Sequence, residues 1–486
     1  MKKCVLLLIF LLPAGSYAQS AGEAKVADYV AEWPHDSLLR AASISLLVMD
    51  VETKRVIASL NPQTALLPAS TLKLVSTGLS LLALGPDYRF RTALYCDGTV
   101  GRDSVLQGHL YVVGGGDPTF GSREAAATPV DSVFARWTRV LKAGGVNRIA
   151  GQIIADESFF ACEETPETWT WGNMGNYFGT SPSGLSFFEN AYEATLASGA
   201  NEGDSTIVRA VYPHIPDARF INRVKTGKPR SGDQTVIFNS PYSTHQMLTG
   251  SIPPRQTDFV IKGSNKTPAL SCLWHFNDYL NRHGIATTHS FDVRTTPAYT
   301  KSPRRLLAVH HSPTLSEIAA VTNKKSHNLY AETLLKTIGV SRKQSSLYDS
   351  SFVAVGQLLD SLQVPAHSIQ LCDGSGLSRQ NYMTAQFLCD FLRAMYFSPA
   401  YVDYRATLAT PGEKGSTFER LLPAAPTARR LHAKSGSMSG VRAYAGYSEN
   451  PGGVLVFAVI INNFNYKIAV LQPKVERLLQ LITEIE

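Results

Sequence analysis

The chain has 486 residues, a formal charge of +7 and 44% hydrophobic residues. It is too long for one ordinary domain and has ample apolar content for a large core, so two or three globular domains are expected. So mild a positive charge is not typical of nucleic-acid-binding proteins, but it would suit an anionic polymer outside the cell membrane.

Residues 1–18 have the features of a secretory signal peptide. Lys2 and Lys3 precede an apolar run, and a small-residue pattern ends at Ala18, where we predict cleavage. Cys4 lies before the apolar run instead of after it, which argues against a lipoprotein. No later stretch is long enough to span a bilayer, so we expect no transmembrane anchor. The mature chain is therefore predicted to be exported, with a periplasmic location.

The runs ISLLVMD and RVIASL predict a β-hairpin that leads into the stretch LLPASTLKLVSTGLSLLALG, residues 66–85. Apolar residues at helical spacing and the closing Gly85 predict a mostly buried helix. Ser70 and Lys73 lie one turn apart on the same face, so the lysine nitrogen can reach the serine hydroxyl. This is the geometry of an activated nucleophile. A lone S-x-x-K motif is nevertheless more often an N-cap serine with a solvated lysine.

Residues 91–299 show strand-like runs separated by glycine, including GHLYVV, GVNRIAGQIIAD and TDFVIKG. We interpret this region as a β-rich insertion of two nested domains. It would interrupt a discontinuous catalytic domain formed by residues 19–90 and 300–486. The triple glycine at 114–116 lacks the spacing of a dinucleotide motif and the lysine of a P-loop, so a tight turn is the preferred interpretation.

The second half of the chain has helical texture that ends in two strand-like runs. The segment TLSEIAAVTNKKSHNLYAETLLKTIG has apolar faces at helical spacing, whereas VRAYAGY and GGVLVFAVIINNF read as strands joined by a turn. The N-terminal hairpin and these strands are predicted to share one antiparallel sheet with helices between them in sequence. The expected fold class is α+β.

Two further motifs extend the S-x-x-K pair. Ser326-His327-Asn328 is an S-x-N motif, and Lys434-Ser435-Gly436 is a K-[ST]-G motif. These three motifs in this chain order are the signature set of the penicillin-interacting serine enzymes. A second K-T-G at 225–227 and a second S-x-N at 448–450 do not fit the order, and 70–73 is the only S-x-x-K in the chain.

With these motifs the sequence resembles the low-molecular-mass class C penicillin-binding proteins, D-alanyl-D-alanine carboxypeptidases that often act as endopeptidases. The resemblance covers nearly the whole mature chain and includes YVVGGGDPTF (111–120), WGNMGNYFGTSPSG (171–184), DGSGLSR (373–379) and AKSGSMSGVRAYAGY (433–447). It implies a transpeptidase/β-lactamase-like domain that carries a large insertion. Departures from the family pattern are Ser435 for the commoner threonine, His327 at a variable position, and Asn173-Met174 where an acidic residue is frequent.

The motifs make sense physically as an acyl-transfer site. Ser70 would attack the carbonyl between two D-alanines, neutral Lys73 would take its proton, and Ser326 would relay it to the leaving amine. The predicted catalytic residues are Ser70, Lys73 and Ser326, and the predicted substrate-binding residues are Asn328, Lys434, Ser435, Gly436 and Ser437. The oxyanion hole would consist of the backbone N–H groups of Ser70 and Ser437.

The expected partners are peptidoglycan stem peptides and, as covalent inhibitors, β-lactam antibiotics. No cofactor, metal or nucleic acid is expected. A serine β-lactamase is the main alternative, although no segment resembles a deacylating glutamate and the long insertion argues against it. A cell-wall-binding scaffold without turnover would predict damaged motifs, and these are intact. For the loop 373–376 two interpretations stay open: it contacts the substrate, or it only turns the chain.

Overall fold

The computed structural model describes residues 19–124, 126–160, 165–241, 243–296, 304–342, 345–423 and 425–486. The predicted signal peptide lies outside these residues. The helices are α1 (Ala21–Ala31), α2 (Lys73–Leu84), α3 (Val130–Ala143), α4 (Trp171–Met174), α5 (Pro268–Arg282), α6 (Leu315–Lys324), α7 (Asn328–Ser341), α8 (Tyr348–Ser361), α9 (Ala385–Tyr396), α10 (Tyr401–Ala406) and α11 (Ile468–Thr483). The strands are β1 (Ser43–Asp50), β2 (Val56–Leu60), β3 (Arg91–Cys96), β4 (Thr99–Val100), β5 (Val105–Gln107), β6 (Leu110–Val113), β7 (Arg148–Ile149), β8 (Ile153–Asp156), β9 (Ala191–Ala197), β10 (Ile207–Tyr212), β11 (Arg219–Asn222), β12 (Lys225–Thr226), β13 (Val236–Phe238), β14 (His245–Thr249), β15 (Ser251–Ile252), β16 (Phe259–Ser264), β17 (Phe291–Arg294), β18 (Arg305–His311), β19 (Leu431–Met438), β20 (Val441–Asn450) and β21 (Gly453–Asn462).

The two ends of the chain build one antiparallel sheet in the order β19-β20-β21-β1-β2. Strand β1 pairs with β21 so that Ser43 lies opposite Asn462 and Asp50 opposite Leu455. The predicted hairpin forms as β1 and β2, and the predicted C-terminal strands form as β20 and β21. This arrangement confirms the predicted α+β class and its shared sheet.

Helices cover both faces of this sheet because successive side chains of a strand point in opposite directions. On β1, Leu47 and Met49 pack with α2, α6, α7, α8 and α9, whereas Leu46 and Val48 pack with α1 and α11. Helix α2 is buried along most of its length and ends at Gly85, whose φ of +83° favours glycine. The sheet is therefore the middle layer of the unit that carries the three motifs.

The insertion contains two longer helices, of which α5 agrees with the helical pattern of LSCLWHFNDYLNRHG (270–284) and α3 was not predicted. A mixed sheet in the order β17-β8-β6-β3-β18 packs against α3 and α5, and the core between them includes Trp137 of α3 and Phe276 of α5. Smaller sheets formed by β9 to β16 surround a separate cluster around Tyr192 and Ile237. We propose that the insertion forms two units, one around each cluster.

Strand β18 lies beyond the predicted end of the insertion at residue 299. It pairs with β3 from Arg305↔Cys96 to His311↔Arg91, so the sheet of the insertion includes a strand from the residues that were assigned to the catalytic domain. The exact domain boundaries stay a prediction. Across the described ranges, no helix is both long and apolar enough to cross a membrane.

Candidate active site

Ser70 lies on a tight turn that leads into α2. Residues Ala69–Leu72 form a short 3-10 turn, and the α-helix begins at Lys73, three residues after Ser70, the predicted nucleophile. Ala69 has a φ of +45°, a conformation that is costly for a residue with a Cβ. The turn leaves Ser70 half-buried on the wall of a cleft.

The Lys73 amino group lies among three oxygen atoms. Its Nζ is 3.0 Å from Ser70 Oγ, 2.7 Å from Asn328 Oδ1 and 2.7 Å from the backbone oxygen of Ser375. The predicted contact between Ser70 and Lys73 therefore forms, and Asn328 joins it across 255 positions of sequence.

The Lys73 side chain is completely buried. This burial lowers the pKa of Lys73 to about 7, and the negative charges of Asp373 and Glu332 oppose the shift. A substantial fraction of neutral amine is consequently present near neutral pH, as a general base for the serine requires.

Ser326 and Lys434 form the second half of the site. Lys434 Nζ donates to Ser326 Oγ over 2.9 Å and to the Ser435 oxygen over 2.7 Å. Burial lowers the pKa of Lys434 well below its usual value, and the positive charge of Lys73 acts in the same direction. Ser326 has a φ of +62° and is followed by α7, which presents Asn328 at its first residue.

Strand β19 approaches the nucleophile turn at Gly436. A Cβ at this position would lie 2.6 Å from the Pro68 oxygen and 3.1 Å from the Ser70 nitrogen, so only glycine permits this distance. The motif glycine therefore brings the strand edge against the backbone of the serine.

The outer edge of β19 faces the cleft. At this edge the Ala433 N–H group donates a hydrogen bond to the Ala409 oxygen over 3.0 Å, and the Ala433 oxygen accepts one from the Ala409 N–H group over 3.1 Å. Because backbone direction alternates along a strand, the backbone groups of Ser435 and Ser437 point to the same side. Ser437 is exposed and lines the cleft with Ser70, so its N–H group is available there.

The glycine-rich loop 373–378 packs beneath the serine. Gly376 has a φ of +83°, and a Cβ on it would lie 1.9 Å from the Ala69 oxygen. Buried Asp373 accepts hydrogen bonds from the N–H groups of Gly376 and Ser378 over 2.8 and 2.6 Å. Glu332 accepts from the N–H groups of residues 374 and 375 over 2.7 and 2.8 Å. These contacts fix the position of the Ser375 backbone oxygen, which faces Lys73. Gly376 of the same loop lines the cleft.

The insertion contributes three contacts that the motifs do not indicate. The Phe178 backbone oxygen accepts from Asn328 Nδ2 over 2.8 Å, which leaves Asn328 Oδ1 facing Lys73. Trp169 Nε1 donates to Asp373 Oδ2 over 2.9 Å. Glu189 Oε2 lies 3.2 Å from His327 Nε2. In the sequence, the signal that could have indicated such contacts is Trp169, a tryptophan next to the run 171–184.

The motif residues and the insertion enclose a cleft of about 1030 Å³. Ser70, Ser326 and Ser437 line this cleft together with Arg123 and Tyr177 of the insertion. A serine hydroxyl, a buried lysine and an exposed strand edge that lines the same cleft can together perform acyl transfer.

Residues 23–481 match the D-Ala-D-Ala carboxypeptidase 3 (S13) family, and the chain belongs to this family of serine-type peptidases. It is similar to the D-alanyl-D-alanine carboxypeptidase of Actinomadura sp. (strain R39), with 30% identity over 88% of this chain and 79% of the relative. It also resembles the D-alanyl-D-alanine carboxypeptidase DacB of Haemophilus influenzae, with 24% identity over 94% of this chain and 92% of the relative.

Solved structures show the same fold. Penicillin-binding protein 4 (dacB) of Haemophilus influenzae superimposes with a TM-score of 0.79 at 22% identity, covering 95% of this chain and 99% of that one. The same protein in complex with a β-lactam gives a TM-score of 0.73 at 20% identity, covering 94% and 98%. The predicted family, fold and serine D-alanyl-D-alanine carboxypeptidase function are confirmed.

Proposed function

We propose that this enzyme cleaves the D-alanyl-D-alanine bond of peptidoglycan stem peptides through an acyl-serine intermediate on Ser70. The observation that carries the proposal is the buried Lys73 amine, 3.0 Å from Ser70 Oγ and surrounded by oxygen acceptors. In crosslinked stems the carbonyl group of this D-alanine is bonded to an amine of the neighbouring stem instead of to a second D-alanine. Endopeptidase cleavage therefore breaks the same kind of amide bond and needs no additional chemistry.

In the first step, Ser70 Oγ bonds to the carbonyl carbon while its proton passes to neutral Lys73. The proton then moves to the leaving nitrogen through Ser326, whose hydroxyl contacts Lys434. The C–N bond breaks and D-alanine leaves. Water, deprotonated by the restored Lys73 amine, then attacks the acyl carbon; the Ser70 Oγ–C bond breaks, the proton passes from Lys73 to Ser70 Oγ, and the shortened stem peptide leaves.

The remaining motif residues would bind the negatively charged groups of the substrate and of the transition state. Lys434 and Ser435 suit the terminal carboxylate, and Gly436 allows Ser437 to approach the reacting carbonyl. The N–H groups of Ser70 and Ser437 would stabilise the oxyanion, and losing one such donor costs about 3 to 4 kcal/mol of transition-state stabilisation. A β-lactam would acylate Ser70 in the same way, but its cleaved ring stays attached and blocks the water.

The predicted signal peptide supports export across the cytoplasmic membrane and a periplasmic location. The proposed substrate supports the same location because peptidoglycan lies outside that membrane.

The test compares Lys434→Ala with Lys225→Ala, which changes the lysine of the second K-T-G. Lys225 is exposed on β12, where its Nζ donates to Ser205 Oγ over 3.1 Å. We expect Lys434→Ala to abolish D-alanine release from a pentapeptide stem and Lys225→Ala to leave it unchanged. Release of D-alanine is measured by mass spectrometry of the products, with circular dichroism as the control for folding.

Penicillin provides the second measurement. A covalent adduct that maps to Ser70, lasts at least minutes and disappears in Ser70→Ala is expected. Rapid catalytic hydrolysis of penicillin, together with no D-alanine release from any stem peptide, would instead define a β-lactamase and refute the proposal.

A further inference from the structure

The S-x-N motif lies in the turn between α6 and α7, where Ser326 adopts a strained conformation. Its φ of +62° is in the left-handed region, which disfavours residues with a Cβ. The His327 N–H donates to the Thr322 oxygen over 3.1 Å, a bond that commonly closes the end of a helix around one left-handed residue. Glycine usually occupies that position, so contacts of neighbouring residues must offset the strain of a serine there.

His327 lies between Ser326 and Asn328, and its ring is held on two sides. The ring stacks on completely buried Tyr330, with 4.0 Å between the centroids. Its Nε2 lies 3.2 Å from Glu189 Oε2. Its Nδ1 is buried and has no hydrogen-bond partner among the described residues. The ring therefore has one polar anchor in this part of the chain, the Glu189 carboxylate.

A strained turn of the insertion presents Glu189 to the cleft. Phe188, Glu189 and Asn190 have φ values of +54°, +58° and +50°, so three successive residues with a Cβ adopt the left-handed conformation. The Asn190 side chain holds this turn: its Oδ1 accepts from the Phe187 N–H over 3.0 Å, and its Nδ2 donates to the Ser181 oxygen over 2.7 Å. Strain of this kind concentrates at functional sites, which points to a role for the residue that the turn presents.

Glu189 is an ionised acceptor. Its Oε1 accepts from Ser122 Oγ over 2.6 Å. Partial burial raises the pKa of Glu189, but the His327 ring and the Ser122 hydroxyl lower it further, to about 2. Because an ionised carboxylate can only accept hydrogen bonds, His327 Nε2 donates to Glu189 and the ring is fixed in one orientation.

The two neighbours of His327 depend on this anchor to different degrees. Asn328 has its own contact with the insertion, since its Nδ2 donates to the Phe178 oxygen over 2.8 Å. Within the ranges that the structure describes, the Ser326 hydroxyl forms a hydrogen bond with Lys434 Nζ alone. Release of the His327 ring would therefore displace Ser326 more than Asn328.

We propose that Glu189 is a positioning residue for the proton relay: its hydrogen bond with His327 holds Ser326 in the conformation that directs the serine hydroxyl to the leaving nitrogen. This inference rests on the proposed function. In the relay step the Ser326 proton passes to the leaving nitrogen as the C–N bond breaks, and Ser326 Oγ takes up the proton that Lys73 holds.

The experiment uses the full enzyme and two peptides that differ in the leaving atom. One ends in D-alanyl-D-alanine, and in the other sulfur replaces the N–H of the last residue. A thiolate leaves without a proton because thiols have a pKa of about 8.5, whereas an amide nitrogen must be protonated to leave. The measured quantity is kcat/KM, which reports the steps up to the acyl-enzyme.

In Glu189→Leu, we expect kcat/KM for the amide to fall at least about tenfold, since general acid catalysis contributes about 10²- to 10⁴-fold. The value for the thioester should stay within about twofold of the unaltered enzyme, because its leaving group needs no proton from Ser326. Glu189→Gln keeps an acceptor oxygen for His327 and should retain most of the activity on the amide.

Two further variants separate the role of Glu189 from general effects on the cleft. Because Glu189 acts through His327, His327→Leu should give the same selective loss, and the double variant should lose no more. Glu124→Leu is the matched control, since Glu124 pairs with exposed Lys325 on the other side of Ser326. Exposed ion pairs contribute little, so both peptides should stay within about twofold in this variant.

Equal losses on both peptides in Glu189→Leu, or no loss on either, would overturn the inference. If thermal unfolding shows that Glu189→Leu does not fold, His327→Leu decides by the same comparison of the two peptides. If the unaltered enzyme releases no D-alanine from the amide, the proposed function itself fails. If it does and Glu189→Leu cleaves both peptides equally well, only the role of Glu189 is refuted.

Discussion

The chemistry of a single residue, Lys73, sets the expected pH dependence. Because burial lowers the pKa of Lys73 to about 7, its amine is mostly protonated below this pH and cannot accept the Ser70 proton. We expect the rate of acylation by penicillin to rise with pH through a midpoint of about 7. Time-resolved mass spectrometry of the intact protein measures this rate across the pH range.

Lys73→Arg is the matched control for this profile. A guanidinium group stays protonated in proteins, so this variant should form no adduct at any pH at which the protein is folded. A rate that is independent of pH in the unaltered enzyme would contradict the assignment of Lys73 as the base.

At the scale of an element, the position of β19 depends on one glycine. In Gly436→Ala the added methyl group would meet the Pro68 oxygen at 2.6 Å, so the strand or the nucleophile turn must move. Displacement of about 1 Å in a catalytic site can cost two orders of magnitude in rate. We therefore expect acylation by penicillin to fall about 100-fold, and overpacking to cost about 1 to 3 kcal/mol in the free energy of unfolding.

Gly356→Ala in α8 is the control for Gly436→Ala. No described atom outside its own helix and its chain neighbours lies within 4 Å of the added Cβ, and alanine favours a helix over glycine by about 0.5 to 1 kcal/mol. Urea unfolding should therefore show equal or higher stability, with unchanged acylation. Unimpaired acylation in Gly436→Ala would mean that the strand can withdraw without harm to the site.

The elements of the catalytic unit were largely readable from sequence, because hydrophobic periodicity and motif order reflect local constraints. In the insertion, Val133, Trp137 and Leu141 have the spacing of one helix face and indicate α3. This helix was not predicted, because the region was interpreted as strands separated by glycine. The contacts of the Ser375 and Phe178 backbone oxygens, by contrast, could not be predicted from the sequence. Any residue type supplies a backbone oxygen, so only the path of the folded loop determines which one meets Lys73 or Asn328.

At the scale of the whole molecule, the insertion stabilises the loop beneath the nucleophile. Trp169 is 4% exposed and donates to buried Asp373. Trp169→Phe keeps an aromatic ring but removes this donor, and hydrogen bonds to charged groups contribute about 1.5 to 3 kcal/mol. We expect a loss of this size in the free energy of unfolding, measured with urea, and slower acylation of Ser70.

Trp171→Phe is a matched control, since Trp171 is 54% exposed and stacks on Phe238 at 5.8 Å. Its effect on stability should stay within about 0.5 kcal/mol. If both tryptophan variants acylated at the same rate as the unaltered enzyme, the insertion would not influence the chemistry through Asp373.

The pairing of β1 with β21 has a consequence for biosynthesis. Strand β1 is made early, but its central partner lies at residues 453–462, near the end of the chain. Closing so long a loop delays folding because the entropic cost precedes the contacts that repay it. While the ribosome still holds the last strands, the nucleophile helix has been synthesised but β19 and Lys434 have not joined it. Covalent labelling by penicillin should therefore report the completed tertiary structure, and nascent chains that end before β19 should remain unlabelled although they contain Ser70.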